Sequence, residues 1–294
     1  MHSRPLKHVT RREFVLGSAT GLVLAPHLFA QSPGLTAQQV ADRIRTNAGA
    51  PAPANTVDGI KAGEPATVVT GIATSVMVTL DVIKRAAAAR QNFIVVHEPT
   101  FYGANDNPGA RATDPVYLAK KKLIDDERLV IYRLYDQWNA RRPNEAVKAL
   151  ASALELAPVL SVGDVYGVPS TTLGALASEV RAKLGGRGGV RVVGPPSLPV
   201  RRVLLSPGTT TVPMTMAGLK EADVVIAGEP REWEAVPYTY DTLAAGQPKG
   251  MIVLGRVLSE GPSMKAAATW IKTLVPEVPV EALTTIDPYW SARA

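Results

Sequence analysis

Apolar residues along this chain fall into two alternating registers. Short continuous runs read as buried strands: Thr67–Ala73, Phe93–His97, Leu129–Leu134, Val190–Gly194, Val200–Leu205, Ala222–Ala227, Met251–Gly255 and Val278–Leu283. Between them, apolar positions recur at helical spacing over roughly Ala37–Thr46, Val76–Arg90, Pro115–Asp126, Asn144–Leu156, Thr172–Leu184, Val212–Lys220, Glu232–Ala245 and Ser263–Leu274. Ala48-Gly-Ala-Pro-Ala-Pro53 ends the first helix. Strands that alternate with helices predict an α/β fold with layered, mixed sheets. Phe93-Ile-Val-Val-His-Glu-Pro99 is echoed by Val224-Val-Ile-Ala-Gly-Glu-Pro230, so two similar α/β halves are expected, 56–158 and 159–294. Residues 31–55 form a linker and the first helix.

The first thirty residues break the pattern. Thr10-Arg11-Arg12-Glu13-Phe14-Val15-Leu16 leads into a weakly apolar stretch that ends at Phe29-Ala30. A basic head, an apolar middle and a small residue at the end are the parts of a cleavable export signal. The paired arginines make it resemble a twin-arginine signal, so the twin-arginine machinery is an expected partner and the periplasm, or export, the expected destination. The stretch is too short and interrupted to span a bilayer stably.

Charge adds little. Four of the 32 basic residues (Arg4, Lys7, Arg11, Arg12) and one of the 26 acids (Glu13) lie in the leader, so half of the formal +6 leaves with it. The remainder is too mild to argue for nucleic acid. Hydrophobic content of 46% and charged content of 20% are those of an ordinary globular domain. The absence of cysteine excludes disulfides, thiolate–metal sites and a thiol nucleophile.

Of the four histidines, only His97 lies beyond the leader. It stands where an apolar run ends in His97-Glu98-Pro99, at a strand end, which is where open α/β sheets present functional side chains. Any metal site must therefore be built mostly from oxygen ligands. Other strand ends carry Tyr135-Asp136, Gly228-Glu229 and Gly255-Arg256 through Glu260. Singly, each acid reads as a helix cap or a surface ion pair. Together they could converge to hold a divalent ion, with the imidazole as its directional ligand. Leu184-Gly-Gly-Arg-Gly-Gly-Val190 is a helix-to-strand turn, the reverse of a phosphate loop, and no serine-nucleophile elbow occurs beyond the leader.

Several segments in order carry a family resemblance: Asp58-Gly-Ile-Lys-Ala-Gly-Glu-Pro65, Val69-Thr-Gly-Ile-Ala73, Asn92 through Tyr102, Gly228-Glu229 with Glu232-Trp233, and Gly255-Arg-Val-Leu-Ser-Glu260. Over about Thr56 to Pro288 the chain resembles the NIF-three-like family, also known as GTP cyclohydrolase type 2-like proteins with a dinuclear metal centre. The resemblance implies a two-part α/β fold, a homo-oligomer of hexamer type, and hydrolase-type metal chemistry. Carried over by position, it implies His97, Glu98, Asp136 and Glu260 as metal ligands, with Arg256, Tyr135 and Glu229 lining the site. Arg256 stands where the family has a further histidine, and Tyr135, Gln137 and Asn139 stand where relatives carry histidines. A guanidinium cannot ligate a metal. One divalent ion (zinc, manganese, iron or magnesium) or none is therefore expected rather than an intact pair. The rival reading is a non-catalytic scaffold or anion-binding module in which Arg256 replaces a metal.

Overall fold

The structure is a computed structural model that describes Met1, residues 34–158 and residues 163–291. The expected leader, beyond Met1, lies outside the described residues. Helices and strands alternate much as the apolar pattern predicts, and the chain builds two sheets.

The first sheet contains β1 (Gly59–Ala62), β2 (Ile72–Ser75), β3 (Phe93–Val96), β4 (Val130–Arg133) and a last strand, β11 (Val280–Ala282), in the order β1-β4-β3-β2-β11. β4, β3, β2 and β11 run parallel, and β1 closes one edge antiparallel to β4. The second sheet contains β5 (Ala157–Pro158), β6 (Val165–Thr172), β7 (Arg191–Val193), β8 (Pro199–Thr210), β9 (Val224–Pro230) and β10 (Gly250–Val253), in the order β5-β6-β8-β9-β10-β7. β8, β9 and β10 are parallel, and β7 closes an edge antiparallel to β10. Both sheets thus contain one motif, an antiparallel edge strand beside three parallel strands whose middle member is β3 or β9. The chain leaves the first sheet after β4 and returns to it at β11.

The side chains explain why both middle strands read as unbroken apolar runs. Along β3, Phe93 and Val95 join one core cluster while Ile94 and Val96 join another on the opposite face. Along β9, Val224 and Ile226 face one cluster and Val225 and Ala227 the other. A sheet covered on both faces has no polar side to show.

Helices α1 (Ala37–Asn47), α2 (Leu80–Ala88), α3 (Pro115–Asp126), α4 (Asp136–Ala140), α5 (Glu145–Ala153), α6 (Leu173–Leu184), α7 (Val212–Glu221), α8 (Ala235–Ala244) and α9 (Arg256–Leu274) cover these faces. Most begin on a side-chain cap that satisfies free N–H groups, such as Thr36 with Gln39 in a reciprocal box on α1 and Asp114 before Pro115 on α3. α9 starts seven residues earlier than the helical spacing predicts, because Gly261-Pro262 reads as a break. Pro262 nevertheless sits within its second turn. The early start matters: it places Arg256 and Glu260 one turn apart on one helix face. α9 packs against strands of both sheets, and among the described residues no helix is long and apolar enough to cross a membrane.

Three strands are absent from the apolar pattern. β1 is half-buried throughout, β5 has two residues, and β6 carries Gly167, Pro169 and three Ser/Thr positions near an irregular stretch of pairing. These strands pair by backbone bonds without a long apolar run.

Candidate metal centre

His97 follows β3 directly and is 2% exposed. Its Nε2 lies 3.3 Å from Asn139 Oδ1, an oxygen that can only accept, so Nε2 carries a proton and Nδ1 is the atom left for other chemistry. Nδ1 faces Glu260 Oε2 at 3.3 Å and Glu98 Oε1 at 3.4 Å. These approaches permit charge attraction but are out of line for hydrogen bonds, so Nδ1 and Glu260 Oε2 are buried without a hydrogen-bond partner. Burial pulls the His97 pKa down, but the charges of Glu260 and Glu98 outweigh it and raise it to about 9. Burial would raise Glu98, yet His97 and the Arg256 charge hold it below the usual carboxylate range.

The donor set fits a divalent ion. His97, Glu98 and Glu260 each offer one ligand atom, and these atoms lie within 4.8 Å of one another. Tetrahedral ligands with bonds of about 2.1 Å stand about 3.4 Å apart, close to the separations His97 Nδ1 makes with its two acids. His97 Nδ1 and Glu260 Oε2 are buried without a hydrogen-bond partner, and in the ion-free protein only the charge of a protonated His97 offsets the two acids, a place that a divalent ion would fill with directed bonds.

Arg256 closes the other side. Its Nη1 lies 2.9 Å from Glu98 Oε1 and 3.5 Å from Glu260 Oε1, while Nε and Nη2 both reach Glu229 Oε2. Nη2 also donates to Thr209 Oγ1 at 2.9 Å. Room for this packing comes from two glycines. A Cβ on Gly208, whose φ is +67°, would strike Glu260 Oε1, and one on Gly228 would strike the Gly208 backbone and Ser259 Oγ.

The loop that carries Glu98 is anchored from behind. Asp106 Oδ1 accepts from the amides of Thr100 and Phe101, and Asp106 Oδ2 pairs with buried Arg133 at 3.1 Å. Arg133 donates through Nε to the His97 carbonyl at 3.3 Å. Lys120 is 2% exposed and donates to the Thr100 carbonyl, and burial pulls its pKa down to about 8. Tyr135, expected as a lining residue, packs its ring 4.7 Å from that of His97.

Asp136, the fourth residue implied as a ligand, is not in this group of three. Its Oδ2 accepts from Thr56 Oγ1 at 2.9 Å and the Val57 amide at 2.8 Å. Asp58 answers by accepting the amides of Tyr135, Asp136 and Gln137, which caps α4. The two acids clasp segments 56–58 and 135–137 together. Sequence reasoning did not single out Asp58, Thr209 or Ser259, and Asn139 figured only as a departure from the family pattern. The Asp58-Gly turn was the one signal available, and it was absorbed into the family motif.

The Duf34/NIF3 (NGG1p interacting factor 3) family profile matches residues 54–248. No curated protein matches the chain. Among solved structures it is similar to protein SA1388 of Staphylococcus aureus, with TM-score 0.71 and 16% identity over 88% of this chain and 100% of that one. A Bacillus cereus protein related to NIF3 gives TM-score 0.71 and 15% identity over 89% and 100%. Reduced HcgD of Methanocaldococcus jannaschii gives TM-score 0.56 and 16% identity over 85% and 98%. At such identities these likenesses speak for the fold alone. With the profile covering most of the domain, the chain belongs to the Duf34/NIF3 family.

Proposed function

We propose that the protein is an exported metal-binding member of its family, with one divalent ion held by His97, Glu98 and Glu260, and that this centre serves hydrolase-type chemistry. The observation that carries the proposal is the convergence of three ligand atoms within 4.8 Å of one another, two of which, His97 Nδ1 and Glu260 Oε2, are buried 3.3 Å apart without a hydrogen-bond partner. A divalent ion there supplies Lewis-acid chemistry, polarising oxygen ligands and making a bound water more acidic. The protein's own residues do the rest. Asn139 fixes the His97 tautomer, Arg133 and Asp106 hold the strand end in place, and Arg256 balances the acids that an ion leaves uncompensated. The resemblance of the first thirty residues to a twin-arginine signal supports export, and the family resemblance supports a hexamer.

Metal analysis and thermal melting test this directly. An ion that binds only the folded state adds stability, so a strong chelator lowers the melting temperature of the wild type and leaves His97→Ala unmoved. One observation favours a second reading: Arg256 already contacts Glu98, Glu229 and Glu260 and could stand in for an ion altogether. A non-catalytic scaffold of that kind melts at the same temperature with and without chelator.

A further inference from the structure

Arg256 has two working faces. Nη1 points to Glu98 and Glu260, whereas Nε and Nη2 form a fork that a single oxygen of Glu229 occupies at 2.9 and 2.7 Å. The Arg256 side chain is 16% exposed, but that of Glu229 is 60% exposed. An exposed carboxylate is cheap to displace, because water compensates it as it leaves. A buried guanidinium left without an acceptor is costly. The fork therefore suits an incoming anion that takes over from Glu229.

The fork opens on a cavity of about 730 Å³, walled by the 188–189 turn, the end of β9, the start of α9 and the C-terminal segment 285–291. Its other charges are already engaged. Arg191 pairs with Glu232 at 2.7 Å, both of them in reach of water, and Asp287 accepts the amides of Gly188 and Tyr289. The C-terminal segment brings two large rings to the wall, Tyr289 at 70% and Trp290 at 69% exposure. Ser291 Oγ ties that segment to the Gly188 carbonyl at 2.9 Å. A cationic fork and two exposed aromatic rings lining one cavity suit a ligand with a charged head and a flat body.

We propose that this cavity binds a flat-ringed organic anion, a carboxylate or phosphate-type group on an aromatic ring. The anionic head replaces Glu229 on the Arg256 fork, and the ring stacks on Tyr289 or Trp290. Calling this anion a substrate rests on the metal-site reading above, since the same guanidinium touches Glu98 and Glu260; its binding does not.

The test uses chelator-treated full-length protein titrated with phenylphosphonate, benzoate and methylphosphonate, followed by calorimetry and tryptophan fluorescence. Saturable binding of phenylphosphonate or benzoate is expected, with methylphosphonate about 5-fold weaker for want of a ring. Glu229→Gln removes the internal competitor and tightens binding by about 3-fold, whereas Glu232→Gln changes it little. Arg256→Lys keeps the charge but loses the fork and weakens binding by about 10-fold or more. No saturable binding to wild type or to Glu229→Gln overturns the proposal, as does an affinity that Glu229→Gln leaves unchanged or weakens. Ion binding is measured separately on the same preparation. Anion binding without ion binding defeats the metal reading and upholds this one, and the converse result does the opposite.

Discussion

β3 runs into His97-Glu98-Pro99 and β9 runs through Gly228-Glu229-Pro230, and each is the middle of three parallel strands. Both glutamates reach the same Arg256, yet the Glu98 side chain is 15% exposed and that of Glu229 60%. The difference lies in the preceding residue. At β3 an imidazole fits and gathers Glu98 and Glu260 around it. At β9 the Gly208 backbone and Ser259 Oγ leave no room for even a Cβ on residue 228. One motif thus yields a buried cluster that could hold an ion at one end and an exposed acid at the other, and close backbone packing separates the two outcomes.

The largest effect should come from the β3 end. His97→Ala removes the only nitrogen ligand and should weaken divalent-ion binding by more than about 100-fold in equilibrium dialysis, since even outer-shell partners are worth about 10- to 100-fold. Next is the residue shared by both ends. In the ion-free protein, Arg256→Ala leaves Glu98 and Glu260 with His97 alone to offset them and should cost about 2–3 kcal/mol in denaturant unfolding, at the low end for a buried pair because Arg256 keeps some exposure.

The support behind β3 gives a pH signature that β9 lacks. Lys120 has a folded pKa of about 8 against an ordinary value of 10.5. Between those values the unfolded chain binds the proton and the folded chain does not, so stability rises with pH across that window; the gain is absent below it and complete above it. The rise should be on the order of 2 kcal/mol between pH 8 and 10.5, and Lys120→Met should remove it. Asn139→Ala frees the His97 tautomer and should cost about 10-fold in ion affinity. Smallest is the β9 end itself, where Glu229→Ala should change stability by less than about 0.5 kcal/mol. A larger loss there would erase the distinction between the two ends.

The strand-to-helix rhythm was legible because both sheets are covered on two faces, so their central strands are unbroken apolar runs such as Phe93–Val96. β6 was not, because Gly167 and Pro169 interrupt its apolar positions, its end is Ser170-Thr-Thr172, and its place is set by backbone pairing with β8. At the site, His97 and Glu98 were legible from their strand end, whereas Arg256 and Glu260 took their meaning from family resemblance. The spacing of that pair was hidden by Gly261-Pro262, which reads as a helix break although the helix runs through it. Asp136 looked equivalent to the other acids in sequence, but only the fold places Thr56 and Val57 against it. Gly208, Ser259 and Asn139 act through close approach of distant segments, for which a single sequence has no signature.

The most direct test is the number of divalent ions per chain, measured by elemental mass spectrometry on protein titrated with zinc or manganese and freed of excess. The account predicts one ion per chain in the wild type and none in His97→Ala. Two tightly held ions, or one that survives the loss of His97, would contradict it.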